Sequence, residues 1–115
     1  LQLFIGQEDI DVSALEAAAK YTGGYHEGTE QVGWFWEIFR ESSLSDQRAT
    51  LRFVTGLHKV PHDGLSPPFT IMRSTHSCGP DSLPLSHTCF NQLALPEYPN
   101  IDVLRERLHF ALYNT

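Results

Sequence analysis

Leu83-Pro84-Leu85-Ser86-His87-Thr88-Cys89-Phe90-Asn91 sets one cysteine between a proline break and an apolar run, Phe90 to Leu95, that ends at Pro96. Proline supplies no backbone donor, so Pro84 and Pro96 bracket a short unit of its own. Thr88 and Phe90 lean toward extended backbone. The unit therefore reads as a loop that delivers a thiol at the start of a short strand. Side chains alternate along an extended chain, which predicts that His87 and Cys89 face the same way. Thiolate is the reactive form of cysteine, and a nearby imidazole or turn amide favours it. Cys89 is thus a candidate nucleophile. The plainer alternative is a buried cysteine acting as a small hydrophobe.

Outward from that unit, the chain reads as short elements with clear signals. Phe69 to Arg73 follows a double proline and alternates as a strand does. Ser74 to Ser82 is a loop holding Cys78-Gly79-Pro80-Asp81. Downstream, Asn100 is placed to cap a final helix with Ile101, Leu104, Leu108 and Ala111 on one face. Upstream, Val32, Phe35, Trp36 and Phe39 fall at i, i+3, i+4 and i+7, and Ile38 widens the stripe. Large aromatics at that spacing belong to a core. Ser43, with Asp46 three residues on, starts another helix that turns Leu51, Phe53 and Val54 inward and stops at Gly56. A connector rich in turn residues runs from His58 to Pro68. Nearer the start, Asp11 or Ser13 caps a helix through Lys20, with Leu15, Ala18 and Ala19 on one face. Tyr21-Thr22-Gly23-Gly24-Tyr25 then makes a packed turn. Helices first, short strands around the cysteine, then one helix: the pattern predicts an α+β domain, helices packed on a small β-sheet with the cysteine on a loop leading into a strand.

The 115 residues fit one domain, and 41% hydrophobic content is enough for a real core. A net charge of −6 argues against a nucleic-acid or anionic-membrane surface, both of which need clustered Lys and Arg. No apolar run is long enough to span a bilayer. With two cysteines a disulfide framework is not expected, and a reducing compartment is the default. The first residue is Leu1, not Met, so the chain is expected to be cut from something longer.

Two chemical constellations compete with a simple nucleophile. His76-Ser77-Cys78 and His87-Thr88-Cys89 together offer the N and S ligands of tetrahedral zinc, but their spacing departs from the usual knuckle, so no metal is expected. A peptidase needs Cys89, a base and an orienting group together. His87 is too close in sequence to serve easily as that base; His26, His58, His62, His76 and His109 are the alternatives, most of them reading as surface residues. No oxyanion-hole glycine pattern lies near Cys89. A nucleophilic thiol without that apparatus suits exchange between thioesters, which needs chiefly a reactive thiolate and alignment. No cofactor is expected.

At this point the segment as a whole resembles something known. Leu83-Pro84, His87-Thr88-Cys89-Phe90-Asn91-Gln92-Leu93 and Leu95-Pro96-Glu97-Tyr98 resemble the catalytic-cysteine segment of HECT ubiquitin ligases. Tyr21-Thr22-Gly23-Gly24-Tyr25, Trp34-Phe35-Trp36, Phe53-Val54-Thr55-Gly56, Val60-Pro61 and Val103 to Leu108 resemble that family's motifs in the same order. The resemblance implies the C-terminal lobe of a HECT domain over residues 9–115, with residues 1–8 the end of the N-terminal lobe and a hinge near Gly6 to Asp9. It implies that Cys89 accepts ubiquitin as a thioester from a conjugating enzyme and passes it to a substrate lysine. His87 and Thr88 would shape the loop. The ubiquitin tail would pair along Phe90 to Leu95, with Phe90, Asn91 and Leu93 as contacts. The implied partners are ubiquitin, protein substrates and a conjugating enzyme, the last held by an N-terminal lobe beyond these residues; nucleic acid and membrane are not among them. A cytoplasmic location is implied, with the nucleus as a second. The family's chain also runs past its last helix into a short tail with a phenylalanine, where this one stops at Asn114-Thr115. A lobe that holds ubiquitin without turning it over, and a small zinc-binding adaptor, are the competing readings.

Overall fold

The computed structural model describes residues 10–57, 60–61, 64–74 and 82–114. Asp11 caps α1 (Val12–Ala18), its Oδ1 accepting the Ala14 N–H at 3.0 Å. Leu15 is buried, while Ala18 is exposed. The helix stops short of the predicted Lys20 because Ala19 turns extended and the Lys20 N–H donates to the Phe69 carbonyl at 2.9 Å. Lys20–Thr22 is thereby drawn into the sheet as β1. Sheet pairing overrides the helix preference of the alanines, which is worth only tenths of a kcal/mol per residue.

The two central helices follow their sequence signals closely. In α2 (Glu30–Glu41) Val32, Phe35, Trp36, Ile38 and Phe39 are all buried. Phe35 stacks with Phe39 and meets Trp36 edge-on, and Trp36 also lies against Phe69, which leads into β2 (Thr70–Arg73). Rings at such separations add about 0.5–1.5 kcal/mol per pair beyond their buried area. The Trp36 Nε1–H is not left bare, donating to the Tyr21 hydroxyl at 3.1 Å. Ser43 caps α3 (Leu44–Thr55) by accepting the Asp46 N–H at 3.1 Å. Gly56 ends that helix at φ 79°, a left-handed conformation that a side chain would strain.

The sheet is mixed, in the order β1-β2-β4-β3. β3 is Leu85–His87 and β4 is Gln92–Leu95. β4 runs parallel to β2, pairing Thr70 with Gln92 through Arg73 with Leu95. On its other side β3 runs antiparallel, pairing Leu85 with Ala94 and His87 with Gln92. Leu93, Ala94 and Leu95 are buried in succession, the pattern of a central strand covered on both faces. The last helix, α4 (Ile101–Tyr113), is capped by Asn100, whose Oδ1 accepts the Val103 N–H at 3.0 Å, and it buries Leu104, Leu108 and Ala111. It packs on α2 and α3, whereas α3 also reaches β3, β4 and the turn between them.

Two loop tyrosines stitch the sheet ends. Tyr25 follows the Gly23-Gly24 turn and donates its hydroxyl to the Leu95 carbonyl at 2.8 Å; Tyr98 donates to the Ser82 carbonyl. Gly23 sits at φ 69° with its Cα against β2, where an added Cβ would come within 3.2 Å of the Arg73 nitrogen. The predicted packed turn is therefore real, and it is packed by close backbone approach.

Candidate functional site

Between β3 and β4 the chain makes a single 3₁₀ turn, Thr88–Phe90, with Cys89 in the middle. Alternation stops at His87, so the expected shared direction of His87 and Cys89, which rests on extended backbone, does not apply. The strand predicted from Phe90 begins at Gln92. Leu85 to His87 is a strand, β3, in regular antiparallel register, although Pro84 gives that stretch the look of a loop.

Cys89 is an exposed free thiol. This removes the alternative of a buried cysteine packed as a hydrophobe. Thr88 is likewise exposed, and the turn buries none of its own side chains. His87 occupies the residue before the turn, exposed and with no side-chain hydrogen bond to the turn's backbone. The turn rests on α3: a Cβ added at Gly56 would meet the Thr88 Cβ at 4.0 Å. Thr88 thus lies close to the helix end.

The three residues expected to touch a ubiquitin tail fall in very different places. Phe90 is 58% exposed beside the thiol. Leu93 is fully buried in the central strand. Asn91 is also buried, its Nδ2 donating to the Pro67 carbonyl at 2.6 Å. Backbone pairing of a guest chain along β4 is blocked as well, because β2 and β3 already take its two edges. Among the described residues, the edge of the sheet nearest Cys89 that no other strand pairs is the outer edge of β3.

Three exposed large hydrophobic side chains belong to the turn or to elements next to it: Phe90 in the turn, Leu85 on β3, and Leu57 after α3. Exposed apolar side chains on segments next to the turn suit a macromolecular contact. A groove of about 520 Å³ does exist between α2, α3 and α4, floored by Ile38, Phe39 and Leu108, but none of its lining residues belongs to the turn.

Among the described residues no cluster of three His, Cys, Asp or Glu side chains is arranged to hold a metal ion. His76 and Cys78, half of the zinc set weighed above, lie outside the described residues, as do His58 and His62. His26 is committed locally, its Nδ1 accepting the Gly28 N–H at 3.1 Å, and His109 lies against the Tyr113 ring on α4.

What sequence reasoning missed is Asn91 as a structural pivot. It is the one non-glycine residue with positive φ among those described. The available signal was an asparagine at the junction between a polar turn and an apolar run, since asparagine tolerates left-handed backbone better than most residues.

Comparison with known proteins agrees with this geometry. The family model described as HECT-domain (ubiquitin-transferase) matches residues 1–115. The probable E3 ubiquitin-protein ligase HUL4 of Eremothecium gossypii is 44% identical over 107 residues, covering 92% of this chain and 12% of that protein. E3 ubiquitin-protein ligase UPL1 of Arabidopsis thaliana is 40% identical, covering 98% of this chain and 3% of that protein. E3 ubiquitin-protein ligase HACE1 of Homo sapiens is 37% identical, covering 96% of this chain and 13% of that protein. The chain spans no more than 13% of the length of these curated relatives.

Proposed function

Because the chain belongs to the HECT-domain (ubiquitin-transferase) family, we propose that it is the cysteine-bearing lobe of a ubiquitin-protein ligase and that Cys89 carries ubiquitin as a thioester. The observation that carries this reading is the exposed Cys89 on a short turn, followed directly by the exposed Phe90 ring.

The Cys89 sulfur attacks the carbonyl carbon of the thioester that joins ubiquitin's C-terminus to the conjugating enzyme's cysteine. A new C–S bond to Cys89 forms, the old one breaks, and the departing sulfur leaves with the proton that Cys89 gave up. One thioester replaces another, so the step is close to isoenergetic and depends on alignment. In the second step a lysine amine of the substrate attacks the Cys89 thioester, an amide forms, and the thiol is regenerated. Thr88 lies close to the end of α3, His87 ends β3 beside the turn, and Phe90 offers an apolar contact to the incoming ubiquitin. The tail of ubiquitin runs along the outer edge of β3, adding a strand by backbone hydrogen bonds. The sequence resemblance assigns residues 1–8 to a preceding lobe, and that lobe would hold the conjugating enzyme. The protein works in the cytoplasm or nucleus.

The test uses the full-length ligase with ubiquitin-charged conjugating enzyme on a non-reducing gel. Wild type gives a thiol-sensitive adduct; Cys89→Ser gives none, or an oxyester that resists thiols. A thiol-sensitive adduct that persists in Cys89→Ala sinks the assignment.

A further inference from the structure

Transfer at Cys89 demands that an exposed sulfur be held in one place, yet the 3₁₀ turn contributes no buried side chain to hold it. Phe90, the turn's one large apolar residue, points into solvent. The bonds that fix the turn converge on the residue after it. Asn91 is only 7% exposed and sits at φ 53° and ψ 43°. Its N–H closes the turn on the Thr88 carbonyl at 3.3 Å. Its own carbonyl accepts the Thr70 N–H at 2.9 Å, where the β2–β4 ladder begins. Its side-chain Nδ2 donates to the Pro67 carbonyl at 2.6 Å, tying the turn to the connector that leads into β2.

We propose that Asn91 is the positioning residue of the transfer, a proposal that rests on Cys89 being the acceptor. By pinning the backbone two residues after Cys89, it sets the line along which Sγ meets the incoming thioester. Asparagine meets both demands of the position. Glycine would accept the left-handed backbone but offers no amide. Aspartate keeps the shape and tolerates the same backbone, but it turns an acceptor oxygen toward the Pro67 carbonyl, which can only accept. Alanine would lose the amide and strain the backbone as well.

Alignment is the quantity at stake. A misplacement of about 1 Å costs on the order of 100-fold in a reaction between two held groups, whereas a small freely diffusing reagent is indifferent to it. The two behaviours separate a positioning role from a merely structural one.

The experiment takes the full-length ligase as wild type, Asn91→Gly, Asn91→Asp and Cys89→Ala. Single-turnover charging is measured against the concentration of ubiquitin-loaded conjugating enzyme, and iodoacetamide alkylation of Cys89 is followed by mass spectrometry. The maximal charging rate of both Asn91 variants is expected to fall roughly 10- to 100-fold, with half-saturation and the alkylation rate each within about twofold of wild type. Asn91→Gly keeps the backbone permissive, so it alone decides if Asn91→Asp fails to fold. Full charging rates in the folded variants, or an alkylation rate that falls in step with charging, overturn the positioning role. A thiol-sensitive adduct in Cys89→Ala overturns the Cys89 assignment instead, and the two failures are told apart by which variant shows them.

Discussion

Phe35, Trp36 and Phe39 on α2 are sealed from water, while Thr88, Cys89 and Phe90 on the turn all face it. The helix stripe is held by many small contacts among rings and aliphatic chains, none of them individually decisive. The turn is held by a few directional bonds at Asn91, beside the end of α3. One region is held by buried area; the other leaves its side chains exposed and is held by a few directional bonds. An aromatic residue is therefore core in one region and contact surface in the other, and the same substitution should report opposite things in the two.

Trp36→Ala carries the largest expected stability cost, about 3–5 kcal/mol, because it empties a fully buried site and takes from the Tyr21 hydroxyl the N–H it accepts. The loss of activity should track unfolding: folded molecules, selected by temperature, should charge normally. An unchanged melting temperature would mean that the ring is not holding the core.

How much of this was legible beforehand depends on which kind of contact specified the element. α2, α3 and α4 announce themselves, because apolar spacing and the caps Ser43, Gly56 and Asn100 are local signals that the structure uses as written. The placement of Cys89 on a loop leading into a strand was legible from its segment. β1 was not, since Lys20 to Thr22 has no strand pattern and is extended only because the Lys20 N–H finds the Phe69 carbonyl. The role of Asn91 was hidden for the same reason: its partners, Thr88, Thr70 and Pro67, come together only when the sheet closes. Long-range polar bonds leave little trace in local pattern.

A smaller effect is expected at Tyr25, which ties the loop before α2 to the far end of β4. Its hydroxyl bonds the Leu95 carbonyl, which also accepts the Ser74 N–H, so Tyr25→Phe leaves no acceptor bare. The expected cost at neutral pH is about 1 kcal/mol. Burial, reinforced by the Glu97 carboxylate, pushes the Tyr25 phenol well above its ordinary value of 10. The native state therefore keeps this proton where the unfolded chain has released it. The contribution is complete below about pH 10 and is lost as pH rises further, because the unfolded state then binds fewer protons. Chemical denaturation from pH 8 to pH 11 should show a declining stability that is flatter in Tyr25→Phe. An equally steep decline in the variant would assign it to other groups, Tyr98 first, whose phenol burial also raises.

Phe90→Ala should have the smallest effect on stability, and it tests the comparison most directly. The ring is 58% exposed, so its removal takes little apolar area out of the fold, and surface changes of this kind stay within about 0.5 kcal/mol. The same ring stands beside Cys89, where an incoming ubiquitin would cover it. Losing roughly half of a fully buried phenylalanine's worth, about 1–1.5 kcal/mol, lowers charging at subsaturating conjugate by up to roughly tenfold. Because this loss is in binding, it should appear as a raised half-saturation with the maximal rate kept, the reverse of the pattern expected at Asn91. Melting temperature and charging curves on the full-length Phe90→Ala ligase decide it. A lowered melting temperature with unchanged charging would place Phe90 with the core aromatics and erase the distinction between the two regions.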